Sequence, residues 1–383
     1  MELGEGPSWA PKRRIAPKAG SATKTGKMKD TEYRVGSIRV RLLPSGRQWT
    51  RAVGYTLRCQ LQGFETSDGD GYTYSLDISD FSLLRDRSRP SPTAFAGGNR
   101  EGGFFIDVAK SIALQQDGNT LTFWCSPASP LSITFLLQFL LLSQRKTLVH
   151  AAAVSIGDRA FLFPAFGGVG KTALLGTLMR SGEVRLLGDD LVILSEDGYV
   201  EPYFRPFCLY PYHAAVFPEY FQGSRFVIAP ASLPLRCARR LFCLAGGSRV
   251  FDSHVALGYM VVAPQVLFPE AQLERRAVRL EAVCLLERSQ RCSSLKDYET
   301  TKPQIAQFLG NVMYHEWYEN LRVLFAYNAH AQEAPWNYFA RVGKIIESAL
   351  KDVRTIRRLD IPASFGAAEA GAAITCYVRA ELL

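Results

Sequence analysis

The stretch LVHAAAVSIGDRAFLFPAFGGVGKTALLGTLMRSGEVRLLGDDLVILSEDGYVEPYFRPFCLY, residues 148–210, decides how the chain is read. At its centre stands Ala165-Phe166-Gly167-Gly168-Val169-Gly170-Lys171-Thr172, a P-loop pattern with alanine in place of the first glycine. Ala160–Pro164 before it is a short apolar run of strand character. After it, Ala173, Leu174, Leu175, Leu178 and Met179 have the spacing of a helix packed on a sheet. Strand, glycine loop and helix in that order is the context the motif requires. Glycines let successive backbone N–H groups turn inward round phosphate oxygens, and a helix start adds partial positive charge. The loop Gly167, Gly168, Val169, Gly170 with Lys171, Thr172 and Ala173 is therefore expected to hold a nucleotide. Lys171 reaches the β- and γ-phosphates and the Thr172 hydroxyl ligates Mg²⁺. ATP and Mg²⁺ are the expected cofactors.

Further along, Gly188-Asp189-Asp190 leads into the apolar run Leu191–Leu194. Read as the opening of a strand, the two acids face opposite ways and have different jobs. One carboxylate holds the metal, assigned with Thr172 to Asp190, while the other faces the attacking group as a base. A solvated turn is the bland alternative; the position shortly after the loop and its helix favours chemistry. Ser195–Tyr199 reads as a hairpin turn. Arg205 follows in Tyr203-Phe204-Arg205-Pro206, where a guanidinium reaches a phosphate or forms a structural ion pair. The aromatic-rich Phe207–Phe221 either walls a base or a peptide groove or packs in a core.

A histidine ending a strand (Leu148-Val149-His150), a second strand, Gly-Gly-x-Gly-Lys-Thr, a helix and Gly-Asp-Asp together resemble the catalytic core of HPr kinase/phosphorylase. That fold is shared with ATP-dependent phosphoenolpyruvate carboxykinase. The segment is similar also to the HPr-kinase-like enzymes that phosphorylate a serine of peptide natural-product precursors. The resemblance covers residues 145–212 and, more loosely, the β-rich remainder. It implies that His150 stands near the transferred phosphate and an acid, that Gly167, Gly168, Gly170 and Lys171 bind phosphates, that Thr172 binds the metal, and that Asp189 and Asp190 share base and metal duties. Ala165 departs from the pattern, and no glycine-rich Glu-x-Arg-Gly segment is present. HPr as acceptor and the phosphorylase reaction therefore lie outside the expectation.

With 383 residues, 47% of them hydrophobic, the chain can bury a sizeable core in two domains. The net charge of +9 is partly local: Lys12, Arg13, Arg14, Lys18, Lys24, Lys27 and Lys29 face only Glu2 and Glu5 in the first 29 residues. No nucleic-acid recognition motif accompanies it, so a basic face for a polyanionic nucleotide suffices and no nucleic-acid partner is expected. The eight cysteines form no C-x-x-C pair, and the histidines form no zinc spacing. Reduced thiols in a cytoplasmic protein are the expectation.

Residues 1–30, rich in Gly, Pro, Ser and Lys, read as a disordered basic tail. Residues 31–130 read as an antiparallel β-rich accessory domain: Tyr33–Leu42, Tyr72–Leu84 and Leu121–Cys125 alternate in strand fashion around turns at Ser67–Gly71 and Gln116–Asn119. Leu131–Leu142 is a buried helix, too short for a bilayer, which needs about 20 helical residues; no membrane partner is expected. From 131 to 383 the chain reads as the catalytic domain. It includes arginine clusters at Arg236, Arg239, Arg240 and at Arg275, Arg276, Arg279, some of which bind phosphate or lie on a solvated rim. A core strand Ala282–Leu286 runs into Glu287-Arg288, helices follow at Thr300–Ala326 and Trp336–Leu350, and a last strand is expected at Ala373–Val378.

The expected class is α+β or α/β: a phosphoenolpyruvate-carboxykinase-like P-loop core with a mixed sheet, plus the N-terminal β-rich domain. The expected function is an ATP-dependent kinase acting on a hydroxyl, a Ser or Thr of a peptide or protein by the resemblance, with the protein a possible homo-oligomer. A small-molecule kinase, a carboxykinase-like or hydrolytic NTPase, and a non-catalytic nucleotide-sensing module are the alternatives.

Overall fold

Tyr33–Leu42 alternates apolar and polar residues, yet it folds as two antiparallel strands, β1 (Glu32–Val35) and β2 (Ile38–Leu42). Gly36, at φ 57°, makes the turn in a left-handed conformation that costs glycine little. The break is written in the parity of the buried positions, which are Tyr33 and Val35 before the turn and Ile38, Val40 and Leu42 after it. The computed structural model describes residues 32–43, 45–46, 49–50, 53–54, 57, 60–61, 64, 72–84, 96–99, 104–107, 111–126, 133–221, 260–331 and 336–382. The tail 1–30, the turn at 67–71 and the cluster Arg236, Arg239, Arg240 lie outside the described residues.

β3 (Tyr74–Asp80), β4 (Ala96–Asn99), β5 (Phe104–Asp107), β6 (Ile112–Asp117) and β7 (Thr120–Cys125) complete a seven-stranded sheet of order β1-β2-β3-β7-β6-β5-β4. It is mixed rather than antiparallel: β2–β3 and β3–β7 run parallel. Parallel neighbours require long crossovers, and residues 43–73 and 81–119 supply the chain for them. Between β6 and β7 the chain turns at Gly118, φ 54°, as expected.

Helix α1 (Ile133–Ser143) is buried on nearly all sides, which is why it is apolar all round. Its one amide, Gln138, donates to Thr147 Oγ1 at 2.7 Å and accepts from the Leu148 N–H at 2.7 Å. A buried amide bonded through both its nitrogen and its oxygen thus fixes the helix against the strand that follows.

That strand, β8 (Lys146–Val149), begins a second sheet. It is followed by β9 (Ala151–Ile156), β10 (Arg159–Pro164), helix α2 (Lys171–Leu178), β11 (Arg185–Gly188), β12 (Val192–Ser195) and β13 (Tyr199–Glu201). A separate pair, β14 (Phe207–Leu209) and β15 (Met260–Val262), precedes the long β16 (Val278–Ser289) and β17 (Lys296–Glu299). Helices α3 (Lys302–Ala331) and α4 (Trp336–Leu350), strand β18 (Thr355–Pro362) and helix α5 (Ala367–Glu381) end the chain. The sheet runs β11-β9-β10-β16-β13-β12-β8 and branches at β16, which also pairs with β18, itself paired with β17. β10–β16 and β16–β18 are parallel, so this sheet is mixed too. The fold is α+β with mixed sheets. Buried apolar side chains of both large sheets join one cluster. Phe64 packs on Tyr203 with ring centroids 4.9 Å apart, and the Tyr203 and Thr134 hydroxyls lie within 3.2 Å. Among the described residues no helix is long and apolar enough to cross a membrane.

The expected last strand at Ala373–Val378 is instead part of α5. Alanine is the best helix former, and small residues let this helix settle directly on α2. A Cβ at Gly371 would lie 2.7 Å from the Ala173 carbonyl oxygen. On an exposed helix, Gly→Ala gains about 1 kcal/mol; here the clash, costing about 1–3 kcal/mol, opposes it. Gly371→Ala is therefore expected to lower the midpoint of urea unfolding. A raised midpoint would contradict the close contact of α5 with α2.

Candidate functional site

Strand register brings together residues far apart in sequence. β8 and β12 pair Val149 with Val192, so His150, one step beyond Val149, lies beside Asp190, just ahead of Val192. β9 and β10 pair Ala151 with Pro164, which sets the start of the glycine loop next to His150. β9 and β11 pair Ala153 with Gly188, which delivers Asp189 and Asp190 to the same sheet end. The two acids sit on a bend between β11 and β12, not on a strand as expected. A Cβ at Gly188 would come within 2.4 Å of the Leu191 carbonyl oxygen, so this tight bend needs glycine.

The loop leaves β10 and enters α2 with Gly168 at φ 79° and Gly170, the residue capping the helix, at φ 131°. Gly167, Gly168, Gly170, Lys171, Thr172 and Ala173 line a cleft of about 760 Å³ together with His150, Asp189, Asp190 and Arg205. Val169 buries its side chain under the loop. Phe166, 43% exposed at the loop tip, meets Phe308 and His315 of α3 edge-on at 5.3 and 6.0 Å.

The polar groups divide into two sets. In the first, Thr172 Oγ1 donates to Asp189, 3.0 and 3.1 Å from its carboxylate oxygens. The sequence reading joined Thr172 to Asp190 as metal ligands; the bend turns Asp189 to Thr172 instead. Burial, then the neighbouring Asp190, push Asp189 up to about 7. In the second set, Asp190 accepts from Arg205 Nη1 at 2.9 Å and lies 3.4 Å from His150 Nε2 and 3.9 Å from Lys171 Nζ. Burial alone would raise Asp190, but His150, Arg205 and Lys171 outweigh it and hold the carboxylate at about 2. Burial lowers His150 to about 4, which leaves its ring neutral at neutral pH, so Arg205 and Lys171 carry that effect there.

Lys171 is buried and held below the usual lysine range by that burial, against the pull of Asp190 and Asp189. Its Nζ donates to His150 Nε2 at 2.7 Å, to Ala165 O at 2.9 Å and to Phe166 O at 3.2 Å. The lysine therefore satisfies the carbonyls of its own loop. Neither a protein-family model nor a curated protein matches this sequence.

Thr172 and Asp189 offer two oxygen donors. Such a set fits Mg²⁺, which keeps waters and takes phosphate oxygens rather than filling an all-protein cage. Among the described residues no group of three His, Cys, Asp or Glu forms a denser metal site. The described cysteines Cys125, Cys208, Cys284, Cys292 and Cys376 form no disulfides. Arg275, Arg276 and Arg279 do not line the cleft; they pair with Glu270, with Glu274 and Asp158, and with Asp352.

The cleft also contains residues to which the sequence reading gave no part in the site. Arg288, at the end of β16, and Glu316 on α3 both line it. Burial and then Asp190 raise Glu316. His315 and Glu316 sit on a helix face that composition does not distinguish from a solvated one. Tyr210 and Tyr212 stack at 5.4 Å and 7° on the cleft wall beside His213, a placement the aromatic run left open.

Proposed function

We propose that this cleft binds Mg²⁺–ATP in a P-loop core of the phosphoenolpyruvate-carboxykinase type and transfers the γ-phosphate to a hydroxyl, that of a Ser or Thr in a peptide or protein. The observation that carries the reading is the convergence of His150, Lys171, Thr172, Asp189, Asp190 and Arg205 around one glycine loop at a helix start. A fortuitous Gly-Lys-Thr would have no reason to collect two acids in separate environments.

The loop N–H groups and the start of α2 receive phosphate oxygens. Lys171, released from the Ala165 and Phe166 carbonyls, follows the negative charge to the β- and γ-phosphates. Thr172 and Asp189 would hold the metal, which would supply neutralisation of the charge that develops in transfer. Phosphate oxygens also compete for Arg205 and Lys171, the two cations that keep Asp190 weakly basic. As they turn to the nucleotide, Asp190 becomes able to take the acceptor hydroxyl's proton. His150 stays neutral and steadies Lys171. The walls beyond, with Pro206, Cys208, Tyr210, Tyr212 and Glu316, are left for the acceptor.

Metal affinity gives a test with a defined sign. Protons and Mg²⁺ compete for the Asp189 oxygens, so with its value raised to about 7 the carboxyl is increasingly neutral as pH falls through 7. Calorimetric titration of Mg²⁺–ATP is expected to show affinity rising from pH 6 to pH 7.5 by up to about tenfold per unit below the transition. Asp189→Asn is expected to weaken binding and flatten this dependence. A wild type that binds equally at both pH values would remove the metal role of Asp189.

A further inference from the structure

We infer that Arg288 is the residue that binds the part of the nucleotide which is not transferred, through its α-phosphate. This assignment rests on the nucleotide reading above. Contacts separate two sides of the cleft. His150, Lys171 and Arg205 gather on Asp190, which marks the transferring end. The loop follows β10, which runs parallel to β16, and Arg288 at the end of β16 bonds among the described residues to Val169, Pro362 and Phe365 instead.

The guanidinium is held in place by the protein itself. Nε donates to Val169 O at 2.9 Å, and Nη1 donates to Pro362 O and Phe365 O, each at 2.9 Å. These bonds tie the glycine loop to the turn between β18 and α5. A guanidinium has five N–H donors in a fixed planar fork, and the bonds to three carbonyls leave Nη2 without a hydrogen bond among the described residues. Nη2 lies 3.9 Å from the position a Cβ would take on Gly170, and the side chain lines the cleft. Two donors on a fixed cation, beside the loop and away from the base, match a phosphate oxygen adjacent to those the loop itself surrounds. Arg288 has no carboxylate partner among the described residues, unlike Arg205 across the cleft. Its charge is disfavoured by burial, and an anion on Nη2 offsets that cost.

Because Arg288 also braces Val169, a substitution tests two roles at once, and pyrophosphate separates them. Pyrophosphate fills the positions around the loop but has no α-phosphate, so its affinity reports the integrity of the loop alone. The experiment measures ATP, ADP and pyrophosphate binding by calorimetry for wild type, Arg288→Met and Arg288→Lys, each with Mg²⁺. Arg288→Met is expected to weaken ATP and ADP alike, by about tenfold for loss of a charge-assisted bond, while pyrophosphate affinity changes less than about twofold. Arg288→Lys is expected to recover part of the loss. Unchanged ATP affinity would overturn the assignment. So would an equal loss for pyrophosphate, which would make Arg288 a brace and nothing more. A wild type that binds neither ATP nor pyrophosphate would remove the nucleotide reading, and this inference with it.

Discussion

Replacing Asp190 with asparagine is expected to lower phosphoryl transfer on the order of 10³-fold, within the range that a general base contributes, while ATP affinity holds or improves. The two effects have opposite signs for a physical reason. Asp190 is a carboxylate lodged among Arg205, Lys171 and His150 beside the proposed phosphate site. As an anion it repels the incoming phosphates and occupies the two cations they need. Asparagine removes the repulsion and frees both cations, so the ground-state complex does not suffer. What asparagine cannot do is accept a proton from the attacking hydroxyl. Single-turnover rates and equilibrium binding on the same preparation separate the two. A variant that binds and transfers like wild type would show that Asp190 only balances charge, and a variant that loses binding and rate together would mark it as a structural support.

Lys171→Met is expected to weaken ATP binding on the order of 100-fold, the loss of charge-assisted bonds to two phosphates, and at the same time to leave the folded protein as stable as wild type or more so. The side chain is 6% exposed, and its hydrogen bonds go to His150 and to backbone carbonyls, with no carboxylate closer than 3.9 Å. Burying an ammonium carries a desolvation cost that an apolar side chain of similar length avoids. The Ala165 and Phe166 carbonyls lose the ammonium as a donor, a cost set against that gain. A residue kept at a cost to the fold and needed for ligand is a functional one. Urea unfolding of the ligand-free proteins, set beside ATP titrations, checks both halves. Marked destabilisation of the methionine variant would mean that Lys171 is there to hold its own loop together.

The elements around the loop were legible because each carries a local signal. The apolar run before the glycines, the 3.6-residue spacing after them, the turn at Ser195–Tyr199 and the two long helices all fold where periodicity puts them. His150, Lys171, Thr172, Asp189, Asp190 and Arg205 gather in one cleft. What stayed hidden depends on partners that sequence does not display. The parallel pairing of β2 with β3 and of β3 with β7 is a matter of chain return, not of alternation. Whether Ala373–Val378 is strand or helix turns on the backbone of α2, against which only a small-residue helix fits. Which acid faces Thr172 is set by a bend whose tightness comes from Gly188. Arg288 is one arginine among many until β16 lies parallel to β10 and carries it to the loop.

The measurement that tests the central proposal most directly is the fate of the γ-phosphate. Wild type and the Asp190→Asn variant would each be incubated with γ-labelled ATP, Mg²⁺ and a mixture of peptides and hydroxyl-bearing metabolites. The account predicts label on an acid-stable phosphoester with wild type and none above background with the variant. Label released as inorganic phosphate, or left on ATP while the nucleotide binds, would contradict a hydroxyl kinase and favour a hydrolytic or nucleotide-sensing protein.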